Sequence, residues 1–441
     1  MLKTRKYERY SIDSESGKVL PDAAGNLFIE NHFQWNSDEL KVLHMGVDTV
    51  KQLYGGVPDK ARFDEIQAIY DQGYGGTIEL MTSDGVFNTF LVGSGGKGGY
   101  RFSIQNAEIG VVILFSSIYV PKIDEDKPES PHNVSNLKIE LSPHLILAKT
   151  PDDIQQFTDV LAKQFMTQIK PSGIAVHLCA DIQGVEIPDD FDLQLTTRTR
   201  RIVSRTGLSE INFPLMASKY GAGQSFLFGR ADSVQFALYR KDIQAKENDK
   251  MHLWGAVWSE ALDRHLEPAY DREAPVWRIE LRFHHTAIDE LARDKDLEIK
   301  TFEGVSKLLL SFWQYGLDKC YRWDHNHLFI HPAWQYLIEL NTVFTNNGLV
   351  FSRRVKKQPG EGNQKNVALA IGNMLSIYAR NKFPIRYAMT SLKKSGIWRD
   401  ILGYYALKTG IYDNEGDLVH MIREDIEAKL TRKRIGRGLA A

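Results

Sequence analysis

Residues 77–115 read TIELMTSDGVFNTFLVGSGGKGGYRFSIQNAEIGVVILF, and LKIELSP follows at 137–143. Short runs of alternating apolar and polar residues, rich in β-branched and aromatic side chains, are separated by Asp-Gly, glycine-rich and polar turns. This pattern predicts a β-meander, because strand side chains alternate between two faces whereas a helical face returns every 3.6 residues. The same signal recurs further on, in GIAVHLCADI (173–182), FDLQLTT (191–197), SFLFG (225–229), SVQFALYRK (233–241) and VWRIELRF (276–283). Between the two sets, Pro151–Lys170 predicts a helix, with Thr150 as cap and Asp152 and Asp153 in its first turn. Residues 36–53 and 60–72 also read as helices, and the polar, proline-bearing stretch Lys122–Asn136 as an exposed loop.

The two strand-rich segments echo each other. Leu137-Lys138-Ile139-Glu140-Leu141-Ser142-Pro143-His144 aligns without gaps onto Trp277-Arg278-Ile279-Glu280-Leu281-Arg282-Phe283-His284. Duplicated halves and the chance similarity of alternating strands both account for eight residues; in either case each strand carries a glutamate. From about residue 303 the strands give way to helical spacing in VSKLLLSFWQYGLDKCY, PAWQYLIELNTVF, QKNVALAIGNMLSIYARN and DLVHMIREDIEAKL. The fold class is therefore α+β. Its expected divisions are a β-rich half over 1–150, a second over 151–300, and a helical, basic domain over 301–441.

Over 441 residues, 43% hydrophobic and 25% charged content exclude a disordered, collagenous or coiled-coil chain. The longest apolar run, Gly110–Phe115, is far too short to span a bilayer, and no apolar segment of a secretory signal follows the basic first ten residues. Cys179 and Cys320 cannot build a disulfide framework or a zinc cage by themselves, so a cytoplasmic location without membrane partners is the expectation. The net charge of −1 hides an asymmetry: residues 301–441 carry 21 Lys and Arg against 12 Asp and Glu. One end of the chain is suited to a polyanion.

Several residues can carry chemistry. Tyr239 is followed by Arg240 and Lys241, and positive charge beside a phenol favours the phenolate that attacks phosphorus. Glu140, Asp181 and Glu280 each interrupt an apolar strand; inward carboxylates suit hard Mg²⁺ or Mn²⁺, while glutamates paired to cations on a wet face are the alternative. His177 shares a strand face with Cys179 and Asp181 and is expected to donate a hydrogen bond rather than bind zinc; His284-His285 and Asp324–His327 read likewise. The glycine-rich GSGGKGGY (93–100) lacks Walker spacing, with Leu91 and Gly98 where Gly and Ser or Thr are needed, so Lys97 is expected on a hairpin near a nucleic-acid backbone. Arg353, Arg354, Lys356 and Lys357 form a basic loop, and Arg432, Lys433 and Arg434 a basic end, both suited to DNA phosphates. Most aromatics among the C-terminal helices, such as Trp313 and Trp334, are expected in the core.

Taken in order over roughly residues 75–285, GGKGGYRFSI with GVVILF, LKIELS, AVHLCADI, Gly229-Arg230 leading to Leu238-Tyr239-Arg240-Lys241, and Trp277-Arg278-Ile279-Glu280-Leu281-Arg282 resemble the replication initiation factor (Rep trans) family. Its members are rolling-circle initiators of plasmids and filamentous phages and related conjugative relaxases. The resemblance implies a nicking and strand-transfer enzyme in which Tyr239 attacks a phosphodiester, stays on the 5′-phosphate and frees a 3′-OH. It further implies a divalent metal, Mg²⁺ or Mn²⁺, on Glu280, Asp181 and Glu140, with Lys241, Arg278 and Arg282 neutralising phosphates. Implied partners are origin DNA, single-stranded or cruciform at the nick and duplex beside it, host helicase and polymerase, and a second copy in a homodimer.

Two motifs depart from the family. Where members show Arg-x-Asp-Leu-x-x-Asp this chain has Ala175-Val176-His177-Leu178-Cys179-Ala180-Asp181, and Ala237 replaces the leading Arg of Arg-x-Tyr-x-Lys. Tyr220 and Tyr270 are alternative nucleophiles. The rival readings are a non-enzymatic DNA-binding initiator or regulator and a β-rich phage assembly protein.

Overall fold

The computed structural model describes residues 4–73, 75–95, 99–116, 136–197, 218–220, 225–263, 265–326, 328–341, 343–344, 347–351, 364–410 and 414–435, with 218–220, 364–365 and 434–435 described by backbone alone. They form two compact units, 1–353 and 354–441.

The first unit opens with a four-stranded sheet of β1 (Glu8–Ile12), β2 (Val19–Pro21), β3 (Leu27–Glu30) and β4 (Phe33–Asn36), in the order β2-β1-β3-β4. The large sheet follows, from β5 (Lys41–Pro58), β6 (Thr77–Met81), β7 (Phe87–Ser94), β8 (Phe102–Asn106), β9 (Val111–Phe115), β10 (Leu137–Leu141) and β11 (Met166–Gln183). After the short β12 (Leu195–Thr197) it is completed by β13 (Ser218–Tyr220), β14 (Ser225–Phe228), β15 (Val234–Arg240) and β16 (Trp277–Phe283), while β17 (Tyr321–His325) and β18 (Phe329–Ile330) join β12 in a small sheet. Helices α1 (Lys60–Asp71), α2 (Pro143–Ile146), α3 (Pro151–Lys163), α4 (Phe191–Gln194), α5 (Lys241–Glu247), α6 (Met251–Ser259), α7 (His285–Arg293), α8 (Phe302–Ser306), α9 (Leu309–Tyr315) and α10 (Pro332–Glu339) connect them. The second unit is helical: α11 (Gln364–Arg380), α12 (Ile385–Lys394), α13 (Trp398–Thr409) and α14 (Glu415–Ile435).

The large sheet is antiparallel and ordered β13-β14-β15-β16-β11-β5-β10-β9-β8-β7-β6. Outward from the central β11–β5 pair, each half adds its strands from last to first, so β10 and β16 occupy equivalent places. The Lys-Ile-Glu and Arg-Ile-Glu echo falls on these two strands. Alternation then sorts their side chains. Ile139, Leu141, Ile279, Leu281 and Phe283 enter one continuous core with Phe157 and Leu161 of α3, whereas Glu140, Arg278, Glu280 and Arg282 belong to the opposite face. Thr150 caps α3 in a reciprocal capping box with Asp153.

Four expectations need correction. Residues 41–58 are a strand, not part of a helix. Pairing with β11 skips Leu43 and Asp48, so each is the extra residue of a bulge; the bulges break the alternation and leave Leu40, Leu43, Val47 and Val50 at a three-four-three spacing that imitates a helix. The helix from Pro151 stops at Lys163, and β11 begins at Met166. Strands also continue beyond 303, as β17 and β18.

Lastly, the boundary expected at 300 lies near 353. Phe302, Phe312, Trp313, Trp323 and Trp334 pack into the core of the first unit, because helical periodicity identifies an amphipathic element but not the body it covers. The charge surplus moves with the boundary. Residues 354–441 carry 17 Lys and Arg against 8 Asp and Glu, and 301–353 are balanced. Nearly all of the Lys122–Asn136 loop lies outside the described residues, as do Lys97, Arg353, Arg354, Lys356 and Lys357.

Candidate active site

Four adjacent strands bring the polar face together. In register, Tyr239 of β15 lies opposite Arg278 of β16, and Arg278, Glu280 and Arg282 lie opposite Asp181, Cys179 and His177 of β11. Asp48 enters from the bulge in β5. Glu280 is the hub: its Oε2 accepts from Tyr239 Oη at 3.0 Å, Arg282 Nε donates to its Oε1 at 2.8 Å, and His177 Nδ1 lies 3.0 Å from the same oxygen. Burial by itself would raise the Glu280 carboxyl, but the hydrogen bonds and charges of His177 and Arg282 overcome it and hold the group well below the usual range. Burial, and then the charge of Glu280, push the Tyr239 phenol well above its ordinary value, so at neutral pH it is a hydrogen-bond donor.

Behind this hub is a fully enclosed ion pair. Arg278 Nε and Nη2 donate to the two oxygens of Asp181 at 2.5 and 2.6 Å, and Nη1 reaches Asp48 Oδ1 at 2.5 Å. The guanidinium carbon sits 4.0 Å from the Trp254 ring centroid, and Trp258 Nε1 donates to Asp181 Oδ2 at 2.8 Å. With both charges at zero exposure, these contacts supply the compensation that a buried pair requires. Burial would raise the Asp181 carboxyl, yet Arg278 holds it below its ordinary value.

Asp48, His177 and Glu280 each present a ligand atom within 4.8 Å of the others, the one such group of three or more among the described residues. They line a cleft of about 670 Å³ together with Tyr239, Lys241 and Arg282. Lys241 Nζ donates to Gln244 Oε1 at 2.7 Å and lies 4.6 Å from the Trp254 ring centroid. Burial, followed by repulsion from Arg278, lowers its value to about 8. The two carboxylates are suitable donors for Mg²⁺ or Mn²⁺, and the imidazole shifts the preference of the set from Mg²⁺ toward a transition metal such as Mn²⁺.

Of the residues singled out in the sequence, Tyr239, Lys241, Glu280 and Arg282 meet in this cleft. Three others have different places. Asp181 is saturated by Arg278 and Trp258; Arg278 is enclosed and cannot reach a phosphate; Glu140, on β10, is bound by Lys138 at 2.6 Å and Lys51 at 3.4 Å. These three belong to ion pairs rather than to a metal or phosphate site. His177 forms the expected hydrogen bond, and burial pushes the Cys179 thiol up.

Asp48 gave no signal in the sequence beyond an acid inside an apolar stretch. Tyr270 packs on Trp258 at 5.3 Å, outside the residues that line the cleft, and the Tyr220 side chain lies outside the described residues. Asp324 is bound by Arg322 and Thr196. In the second unit Arg432 is exposed and Lys433 donates to Ser376 Oγ at 2.8 Å, while the Arg434 side chain is outside the described residues. No described helix is long and apolar enough to cross a membrane.

No protein-family model matches this chain. It is similar to a protein of Pseudomonas phage Pf1 described as uncharacterized protein ORF430, with 28% identity over 425 residues, covering 92% of this chain and 94% of the phage protein.

Proposed function

We propose that this chain is a metal-dependent DNA strand transferase of the rolling-circle initiator type. The observation that carries the reading is a tyrosine phenol hydrogen-bonded to Glu280 inside a polar cleft where Asp48, His177 and Glu280 converge and where Lys241 and Arg282 add positive charge. His177 stands where the resembled family has the first Asp of its Asp-Leu-x-x-Asp motif, which favours a three-donor set of altered composition. Similarity to a phage protein along nearly the whole chain agrees with an element that replicates or transfers its own DNA.

In this reading Tyr239 Oη attacks the phosphorus of a single-stranded phosphodiester. A bond forms from Oη to phosphorus and the bond from phosphorus to the 3′-oxygen breaks, so the 5′-phosphate stays on the protein. Tyr239 rests protonated and already points its proton at Glu280, making that carboxylate the first acceptor. The departing 3′-oxygen takes a proton from Lys241 or water and leaves as a 3′-OH, the end a polymerase extends. Arg282 and Lys241 compensate charge on the phosphate oxygens. A divalent ion held by Asp48, His177 and Glu280 would polarise the scissile phosphate and screen its charge.

The test is incubation of wild type and Tyr239→Phe with labelled single strands tiled across DNA flanking the gene, plus Mn²⁺, followed by denaturing gels. A covalent adduct formed by wild type and lost in the variant is expected. Tight DNA binding without nicking of any strand or of supercoiled plasmid overturns the proposal in favour of a non-enzymatic initiator, the reading that the charge of the second unit favours by itself. A conjugative relaxase would give the same adduct at a transfer origin.

A further inference from the structure

Of the basic residues that the sequence marks most plainly, those at 353–357 lie outside the described residues, but a further run of cations stands among the described ones. Between Gly362 and Arg399 the chain has no Asp or Glu at all, but it carries Lys365, Arg380, Lys382, Arg386, Lys393, Lys394 and Arg399. The last six are all exposed, and among the described residues none of them forms an ion pair. Elsewhere in the same unit Arg423 and Arg432 are exposed as well, but on α14, where Glu424, Asp425 and Glu427 accompany them, and other cations are engaged. Lys408 and Lys429 both face Asp425, and Lys433 donates to Ser376.

The six free cations centre on α12. At 100° per residue, Arg386, Tyr387, Thr390, Lys393 and Lys394 fall within an arc of about 120°. Ala388, Met389 and Leu392 occupy the opposite side and are buried in the core of the unit. Arg380, at the end of α11, and Lys382 shortly precede α12 in the chain, and Arg399, at the start of α13, shortly follows it.

The helix is held rather than loosely displayed. Tyr378 Oη of α11 donates to Ser391 Oγ at 2.7 Å, and Phe383 packs between Tyr378 and Tyr387, tilted to both, with ring centroids 6.0 and 4.5 Å away. A well-anchored 10-residue helix, about 15 Å long, with cations along it and at both ends, has the dimensions of an element that enters the major groove while its flanks bind the backbone. Tyr387, 51% exposed, and Thr390 supply non-cationic groups on the same face.

We infer that the exposed face of α12, with Arg380, Lys382 and Arg399 beside it, is a docking surface for duplex DNA, separate from the single-strand chemistry assigned to the cleft. The inference rests on DNA being the partner of this chain, as proposed above. The occupant is double-stranded because Arg386, Lys393 and Lys394 lie on the exposed, convex face of one helix, with further exposed cations just before and after it in the chain. A single-strand site would call for stacking aromatics along a groove, and on this face Tyr387 is the one aromatic.

The test is fluorescence anisotropy of the full chain with a labelled random-sequence duplex and with labelled duplexes tiled across DNA flanking the gene, over a range of salt. The Arg386→Ala/Lys393→Ala/Lys394→Ala variant is expected to bind duplex at least about tenfold more weakly, with a log–log salt slope shallower by about 0.9 per lost phosphate contact. Lys408→Ala, which removes a paired cation of the same unit, should leave both nearly unchanged. A conservative Arg386→Lys/Lys393→Arg variant should keep the slope, separating charge from folding, and helical circular dichroism checks the α12 variants directly.

Duplex binding by the triple variant equal to wild type, or a loss matched by Lys408→Ala, overturns the inference, as does a wild type that binds single strands alone. Tyr239→Phe should bind duplex like wild type. A protein that binds duplex through α12 but never forms an adduct would thus sink the proposed chemistry and leave this surface standing, and the converse result would do the opposite.

Discussion

Replacing Asp181 with Ala should cost stability rather than metal affinity, and the size of the loss follows from its surroundings. Asp181 and Arg278 are both fully enclosed, and Asp181 accepts from Arg278 Nε, Arg278 Nη2 and Trp258 Nε1. Without the carboxylate, the buried guanidinium keeps only its hydrogen bond to Asp48 and its packing on the Trp254 ring, and the Trp258 N–H loses its acceptor. Breaking one side of a buried pair costs about 3–5 kcal/mol, and the stranded indole donor places this case toward the upper end. Asp181→Leu combined with Arg278→Met removes both charges and should be more stable than Asp181→Ala alone.

The assay is urea unfolding of the full chain followed by tryptophan fluorescence, to which Trp254 and Trp258 contribute from beside the pair. Mn²⁺ affinity is measured in parallel by electron paramagnetic resonance of the free ion. Because the folded-state value of Asp181 is lowered, its stabilising contribution is complete above the ordinary aspartate value and is lost as pH falls toward the lowered one. A stability change below about 1 kcal/mol accompanied by lost Mn²⁺ binding would refute the reasoning and return Asp181 to the metal.

Glu280→Gln and His177→Ala should each weaken Mn²⁺ binding by about tenfold or more, whereas Glu140→Gln should leave it unchanged, as read by the same resonance titration. Lys241, lowered to about 8, loses its charge as pH rises through that value, so the rate of adduct formation should fall there; Lys241→Arg, which stays charged, should flatten the decline. A rate independent of pH between 7 and 9 in wild type would remove Lys241 from phosphate compensation. Gly184, at φ +81° with the Glu39 carbonyl oxygen 1.7 Å from where a Cβ would stand, should tolerate no side chain. Gly184→Ala is expected to lower the unfolding midpoint of the first unit in a urea titration.

The sequence by itself determined most of the strands of the large sheet and the polarity of their two faces, since alternation is local and Ile139, Ile279 and Leu281 cannot be left in water. It also placed Tyr239, Lys241, Glu280 and Arg282 among the chemically interesting residues, and it located an excess of positive charge toward the C-terminal end. What it left open was which acid faces which partner. Glu140, Asp181 and Glu280 look alike in the chain, each an acid in an apolar strand; their neighbours come from pairings such as β11 with β16, about a hundred residues apart. Register put Arg278 on Asp181, Lys51 on Glu140 beside its in-strand neighbour Lys138, and His177 on Glu280.

Asp48 was hidden for a related reason. A bulge is defined by the strand it fails to match, and within β5 the same residues spell a helical spacing. The assignment of residues 301–353 to the first unit was likewise tertiary, because an apolar helix face specifies only that it must be covered. Periodicity is a property of neighbours in the chain, whereas an ion pair, a metal-donor set and a domain boundary are properties of neighbours in space.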